Sequence, residues 1–173
     1  MNPETGLPPF RISRLGGEEG SDYRALRLEG LREHPEAFGA SWEEEASQDA
    51  ARFSMRLERG LVFGARSGTN GTLVGIIGLR VPTEEKMRHK ASLWGFYVRR
   101  DARRTGVGRA LLDHAIAYAA AVVEEVTLIV EAQNAPALAL YRQIGFEQYG
   151  LEKRSLKIGD VYHDEVLMAL PLG

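Results

Sequence analysis

Two hydrophobic periods alternate along this chain. Its first nine residues hold three prolines and are expected to form a loose tail. Residues 10–15 then alternate well enough for an edge strand. Tyr23, Leu26, Leu28 and Leu31 recur on or near one face of a helix that Ser21 is placed to cap and His34-Pro35 to end. Ser41-Trp42-Glu43-Glu44 reads as a capping box that opens a second helix, with acidic residues where the positive helix end favours them. From Leu61 the period shortens to two. Residues 61–66 and 72–81 read as strands joined through Asn70-Gly71, a strong hairpin dipeptide. A polar loop over 82–90 leads to a third strand of this meander, 91–98.

The helical period returns over 109–121, an amphipathic stretch. Val126-Thr127-Leu128-Ile129-Val130 is a β-branched run that reads as a buried strand. Residues 149–157 and 161–170 make a last hairpin across Ile158-Gly159-Asp160. No repeat, low-complexity segment or linker interrupts the pattern. The expectation is one α/β domain over 1–173, with flanking helices on a mixed, mostly antiparallel sheet.

Composition narrows the function classes. With 173 residues, 44% hydrophobic and 27% charged, the chain has the make-up of a soluble globular domain. No apolar run approaches the roughly 20 residues of a membrane span, and the N-terminus lacks a basic-then-apolar signal pattern, which favours the cytoplasm. Cysteine is absent, which removes disulfides, thiolate metal sites and a cysteine nucleophile together. A net charge of −2 argues against a general nucleic-acid binder. That charge is unevenly spread, because Arg99, Arg100, Arg103, Arg104 and Arg109 crowd one loop.

This loop carries the candidate chemistry. An apolar strand, Leu93 to Val98, runs into an arginine- and glycine-rich segment that opens the amphipathic helix. A loop so placed turns several backbone N–H groups toward one point at a helix N-terminus, where the helix dipole favours anions. Gly106 and Gly108 let a ligand approach the main chain with no Cβ in the way. The segment reads as a phosphate cradle. A nucleotide P-loop needs Lys and then Ser or Thr after its last glycine, whereas Arg109 and Ala110 follow Gly108. A dinucleotide fingerprint is weakened by Leu111 at its third small position, although Glu125 or Glu131 could imitate the ribose-binding carboxylate.

Arg103-Arg104-Thr105-Gly106-Val107-Gly108 resembles the Gln/Arg-x-x-Gly-x-Gly/Ala loop of the GNAT acetyltransferase superfamily. Downstream, Asn134-Ala135-Pro136-Ala137, Tyr141 and Gly145-Phe146 resemble that family's Asn-x-x-Ala-x-x-x-Tyr-x-x-x-Gly-Phe segment. The matched pieces lie within residues 93–146, in the expected order and strand–helix context. The resemblance implies that the central parallel strands splay apart and that acetyl-CoA is the co-substrate, with no metal. It implies that Arg103, Arg104, Thr105, Gly106, Val107, Gly108 and Arg109 hold the CoA pyrophosphate. The backbone of Phe96, Tyr97 and Val98 would pair with pantetheine, Asn134 would bond its amides, and Ala137 would offer it a small surface. Tyr141 would be the acid that protonates the leaving thiolate, since a phenol of pKa about 10 keeps its proton at neutral pH.

The resemblance thins at the general base. Many family members carry a glutamate on the strand matching Leu93–Val98, and this strand has no Asp, Glu or His. Glu131, Glu84, Glu85 and Asp164 are candidates, each read first as a surface or loop carboxylate. His34, His89, His114 and His163 are scattered in the sequence and suggest neither a metal nor a triad. The implied activity is direct transfer of acetyl to a primary amine of a small molecule, protein or peptide, with no nucleic-acid or membrane partner, by a monomer or homodimer. The rivals are a catalytically idle acyl-CoA-binding sensor and a dinucleotide-dependent oxidoreductase.

Overall fold

A computed structural model describes residues 10–68 and 70–173, so the proline-rich tail lies outside the described residues. Among the described residues seven strands form one sheet: β1 (Phe10–Arg14), β2 (Leu61–Ser67), β3 (Leu73–Arg80), β4 (Lys90–Val98), β5 (Glu125–Glu131), β6 (Glu147–Ile158) and β7 (Val161–Pro171). Their order across the sheet is β1-β2-β3-β4-β5-β7-β6. Every neighbouring pair is antiparallel except β4 and β5. This is the mixed, mostly antiparallel sheet expected. Among the described residues five α-helices flank it: α1 (Gly20–Glu33), α2 (Trp42–Ala46), α3 (Ala50–Arg59), α4 (Val107–Ala120) and α5 (Ala135–Ile144).

Two apolar cores lie on the two faces. On one, Leu111, Leu112, Ala115 and Ala119 of α4 and Leu138 and Tyr141 of α5 bury themselves against Val126, Leu128, Val130, Val166 and Met168. On the other, Tyr23, Leu26 and Leu31 of α1 and Phe53 and Leu57 of α3 cover Val62, Leu73, Ile76 and Tyr97. Helix α4 approaches β3 so closely that a Cβ on Gly75 would lie 2.7 Å from Leu111.

The local readings need correction at three points. Ser21 does not cap α1; the helix continues from a short turn and its cap position is Glu19, leaving Ser21 in the first turn. The capping box at Ser41 is present, but α2 ends at Ala46 and a separate helix comes after it. That helix, α3, is capped by Asp49, whose carboxylate accepts the Arg52 N–H at 3.1 Å. Finally, α4 starts two residues before Arg109, because the left-handed Gly106 (φ 91°) serves as its N-cap.

Strand β4 is irregular at the point that shapes the site. Its register against β3 shifts between Ile76 and Gly78, and Gly95 sits at φ 61°. Such a bulge adds one residue and re-aims the side chains beyond it. Leu93, Phe96 and Val98 therefore face α4, while Trp94 and Tyr97 face α1. A regular strand would have put Trp94 and Phe96 on one face.

Candidate active site

The parallel strands pair only over Lys90↔Glu125, Ala91↔Val126 and Ser92↔Thr127. The Ser92 and Thr127 hydroxyls bond across this last rung at 3.1 Å. Beyond it β4 continues to Val98 and β5 to Glu131 without pairing. The sheet thus opens into a wedge, with unpaired strand edge on both sides. The implied splay is present.

The cradle stands where β4 leaves the wedge. Arg104 (φ 62°) and Gly106 (φ 91°) are both left-handed, a turn geometry that gathers successive N–H groups on one side. Among the described residues the amides of Arg104, Thr105 and Gly106 have no backbone acceptor, and the first-turn amides of α4 are free by helix geometry. A Cβ on Gly106 would project into open space, so a ligand can reach the main chain there. Gly108 differs: its Cβ would meet Phe96 at 3.5 Å and Val98 at 3.6 Å, so its bare side is turned to β4. Val107 is buried in the helix-face core and anchors the turn.

The side chains of this loop are less free than its backbone. Arg103 donates from Nε to the Val98 carbonyl (2.9 Å), and its Nη2 lies 3.2 Å from His34 Nε2 and 3.6 Å from Glu33. Its guanidinium is therefore bound to the α1 side, and the carbonyl of Val98 already accepts one bond. Thr105 Oγ1 donates to the Ala102 carbonyl at 2.6 Å. Arg109 is paired with Asp113 one helical turn on, at 2.9 Å. Among the described residues Arg104 is exposed and has no partner, which leaves its guanidinium free for an anion. The Tyr97 ring lies on the α1 face, and its one hydroxyl proton is shared between carboxylate oxygens of Glu29 (3.0 Å) and Glu33 (2.9 Å). Burial and these two carboxylates push its phenol above the ordinary range. Any contact of Tyr97 with a ligand in the wedge must come from its backbone.

Helix α5 supplies the far wall. Asn134 caps it, with Oδ1 accepting the Ala137 N–H at 3.2 Å, so its amide N–H₂ is left to donate outward. Ala137 is half-buried beside it. Tyr141 lies between Phe96 (centroids 6.4 Å apart) and Phe146 (5.8 Å). Its hydroxyl has no hydrogen-bond partner among the described residues, and burial raises its pKa above the ordinary phenol value. The phenol is consequently held protonated and available as a donor.

The carboxylates sort by position. Glu84 and Glu85 are exposed in the loop before β4, and Glu125 opens β5, all at the end of the sheet away from the cradle. Asp164 accepts the Arg154 N–H at 2.7 Å. Glu131 is no surface carboxylate. It is 6% exposed at the end of β5, accepting the Gln133 N–H at 2.8 Å and lying 3.4 Å from His163 Nδ1. That pairing across two strands had no trace in sequence spacing. The sheet topology also removes the dinucleotide reading, which needs a doubly wound parallel sheet. Among the described residues no cluster of His, Asp or Glu is arranged to hold a metal ion, and no helix is long and apolar enough to cross a membrane.

A family model described as "Acetyltransferase (GNAT) family" matches residues 27–146. The Escherichia coli (strain K12) ribosomal protein bS18-alanine N-acetyltransferase is 37% identical over 84 residues, 48% of this chain and 57% of its own. The N-alpha-acetyltransferase RimI of Mycobacterium tuberculosis is 39% identical over 99 residues, 55% of this chain and 57% of its own. The chain thus spans little more than half the length of these curated relatives. Among solved structures, a GNAT-family acetyltransferase from Streptococcus pneumoniae superposes with a TM-score of 0.83 at 21% identity, covering 95% of this chain and 99% of that one. A Salmonella typhimurium protein solved with its cofactor acetyl-CoA gives 0.77 at 18%, covering 95% and 94%.

Proposed function

Because the chain belongs to the acetyltransferase (GNAT) family, we propose that it is an acetyl-CoA-dependent N-acetyltransferase acting by direct transfer to a primary amine. The observation that carries this reading is the wedge between β4 and β5, with free amides at its mouth and a protonated phenol on its wall. The loop fits a pyrophosphate: free N–H groups at a helix N-terminus, open space over Gly106 and an unpaired Arg104 suit an anion that must reach the main chain. Phe96 and Tyr97 offer unpaired strand edge to an amide-bearing arm, and the Asn134 N–H₂ donates to it from the other side. When bound, acetyl-CoA supplies an activated acyl group and a thiolate leaving group.

Tyr141 provides the proton. Burial holds its phenol neutral, so the O–H can protonate the developing thiolate, which blocks its reattack, and the donor stays in place as pH rises. The names of the curated relatives favour an α-amine at a protein or peptide N-terminus over a small-molecule amine as acceptor. The test is free-thiol release from acetyl-CoA with a panel of N-terminal peptides and small amines. Release with peptides supports the reading; release with small amines alone overturns the acceptor class. Tight acetyl-CoA binding without transfer to any amine supports the idle sensor.

A further inference from the structure

Resting on that reading, we propose that His163 is the general base that deprotonates the acceptor amine and that Glu131 positions it. A carboxylate oxygen only accepts, so Glu131 Oε1 at 3.4 Å fixes the proton of the imidazole on Nδ1. Nε2 is then the basic nitrogen, and among the described residues it has no partner. Glu131 is itself held from behind, since its other oxygen accepts the Gln133 N–H at 2.8 Å. The order is carboxylate, then histidine, then an imidazole nitrogen without a partner among the described residues, the arrangement that serves an activating base.

The location supports the role. Val126, Leu128 and Val130 turn to the α4–α5 face, where Tyr141 lies. Thr127, Ile129 and Glu131 alternate to the opposite face, and Ile129 is 56% exposed there. Glu165 stands directly across from Glu131, and His163 two residues further along β7 shares its face. Tyr141 and His163 thus stand on opposite faces of the sheet beside β5, an acid on one and a base on the other.

The other groups about this histidine are accounted for. Leu156 is directly opposite it on β6. Glu165 accepts the Ser155 hydroxyl, Glu152 stands opposite Glu165, and Asp164 is bound to the Arg154 N–H. The turn at Pro35–Ala37 packs against β5 and β6, and its Glu36 is paired with His34.

In the step itself, His163 Nε2 takes one proton from the acceptor ammonium. The neutral amine forms the C–N bond at the thioester carbonyl, and the C–S bond breaks. The nitrogen sheds its second proton as the thiolate gains one from Tyr141, whose phenol is restored by that proton. The proton on His163 passes to water, so transfer releases one proton overall.

The test is thiol release at saturating acetyl-CoA with an N-terminal peptide, from about pH 5.5 to 9.5, for wild type, His163→Gln, His163→Gly and Glu131→Gln. His163→Gln is expected to lower kcat at neutral pH by about 10²-fold and to remove the histidine limb of the profile. Its rate should instead climb with the free-amine fraction, while acetyl-CoA affinity is kept. Added imidazole should restore turnover to His163→Gly, which keeps the proposal testable if the glutamine variant misfolds. Glu131→Gln should displace the same limb without abolishing it. A wild-type rate and profile in folded His163→Gln, or no rescue of folded His163→Gly, overturns the base alone. A wild type that binds acetyl-CoA yet releases no thiol with any amine overturns the acetyltransferase reading, and the base with it.

Discussion

Two glutamates on the α1 side of the sheet are almost equally buried, Glu45 at 4% exposure and Glu131 at 6%, and they are treated very differently. Glu45 is surrounded. The Arg27 guanidinium donates to both its oxygens (2.9 and 3.0 Å), and Arg56 adds contacts at 3.3 Å. Arg27 in turn lies over the Phe38 ring at 4.9 Å and close behind the Gly95 bulge. Burial pushes the Glu45 carboxyl up, but the two arginines outweigh it and hold the pKa below the ordinary value. Glu131 has one backbone N–H and one histidine. A fully satisfied buried carboxylate ties helices together; a half-satisfied one is left to orient an imidazole whose other nitrogen is free.

The strongest break of this contrast is Glu45→Gln. It leaves Arg27 buried without its counter-charge, and a loss of roughly 3–5 kcal/mol is expected, read from the urea unfolding midpoint. Turnover per folded molecule should be retained. Next comes Tyr141→Phe, which keeps the packing against Phe96 and Phe146 but deletes the donor. A fall in kcat of about 10²-fold is expected with stability and acetyl-CoA affinity little changed. Because burial raises this phenol's pKa, wild-type turnover should show no loss from tyrosine ionisation near pH 10, where a free phenol titrates.

A pH series sharpens the Glu45 side. Its folded pKa is depressed, so its contribution is fully present above the unfolded value of about 4.3 and fades as pH falls through the lower folded value. The stability gap between wild type and Glu45→Gln should therefore be constant from neutral pH to about 5 and shrink below about 4. A gap independent of pH would mean that packing, not charge, holds Arg27. The smallest effect belongs to Asp113→Asn. The Arg109–Asp113 pair is half exposed and one turn apart, so about 0.5 kcal/mol at most is expected in the same unfolding assay. Acetyl-CoA affinity should not fall, since Arg109 is released rather than lost.

What could be read from the chain was local. The meander, the Asn70-Gly71 turn and the cradle rest on residues a few positions apart, whose backbone needs are written in their own types. Asn134 as a cap obeys the same logic. What escaped was set by distant partners. The bulge at Gly95 decides that Tyr97 faces α1 rather than the cradle. Arg103, placed by its sequence neighbours among the phosphate ligands, is claimed by Val98, Glu33 and His34. Helix α3 carries a legible signal of its own, since Asp49 precedes Phe53 and Leu57 at helical spacing. Glu131 and His163 meet only because β5 and β7 are neighbours in the sheet, which no short-range pattern encodes.

The central claim is that the amides at the mouth of the wedge hold phosphate. Calorimetric titration of acetyl-CoA and of acetyl-pantetheine, which lacks the pyrophosphate, tests it most directly in wild type and Gly106→Val. In wild type, acetyl-CoA should bind about 100-fold tighter or more than acetyl-pantetheine. In a Gly106→Val protein of unchanged circular dichroism the two affinities should converge, because the new side chain fills the space over the loop. Equal affinities for the two ligands in wild type, or an acetyl-CoA preference that survives in folded Gly106→Val, would contradict the assignment.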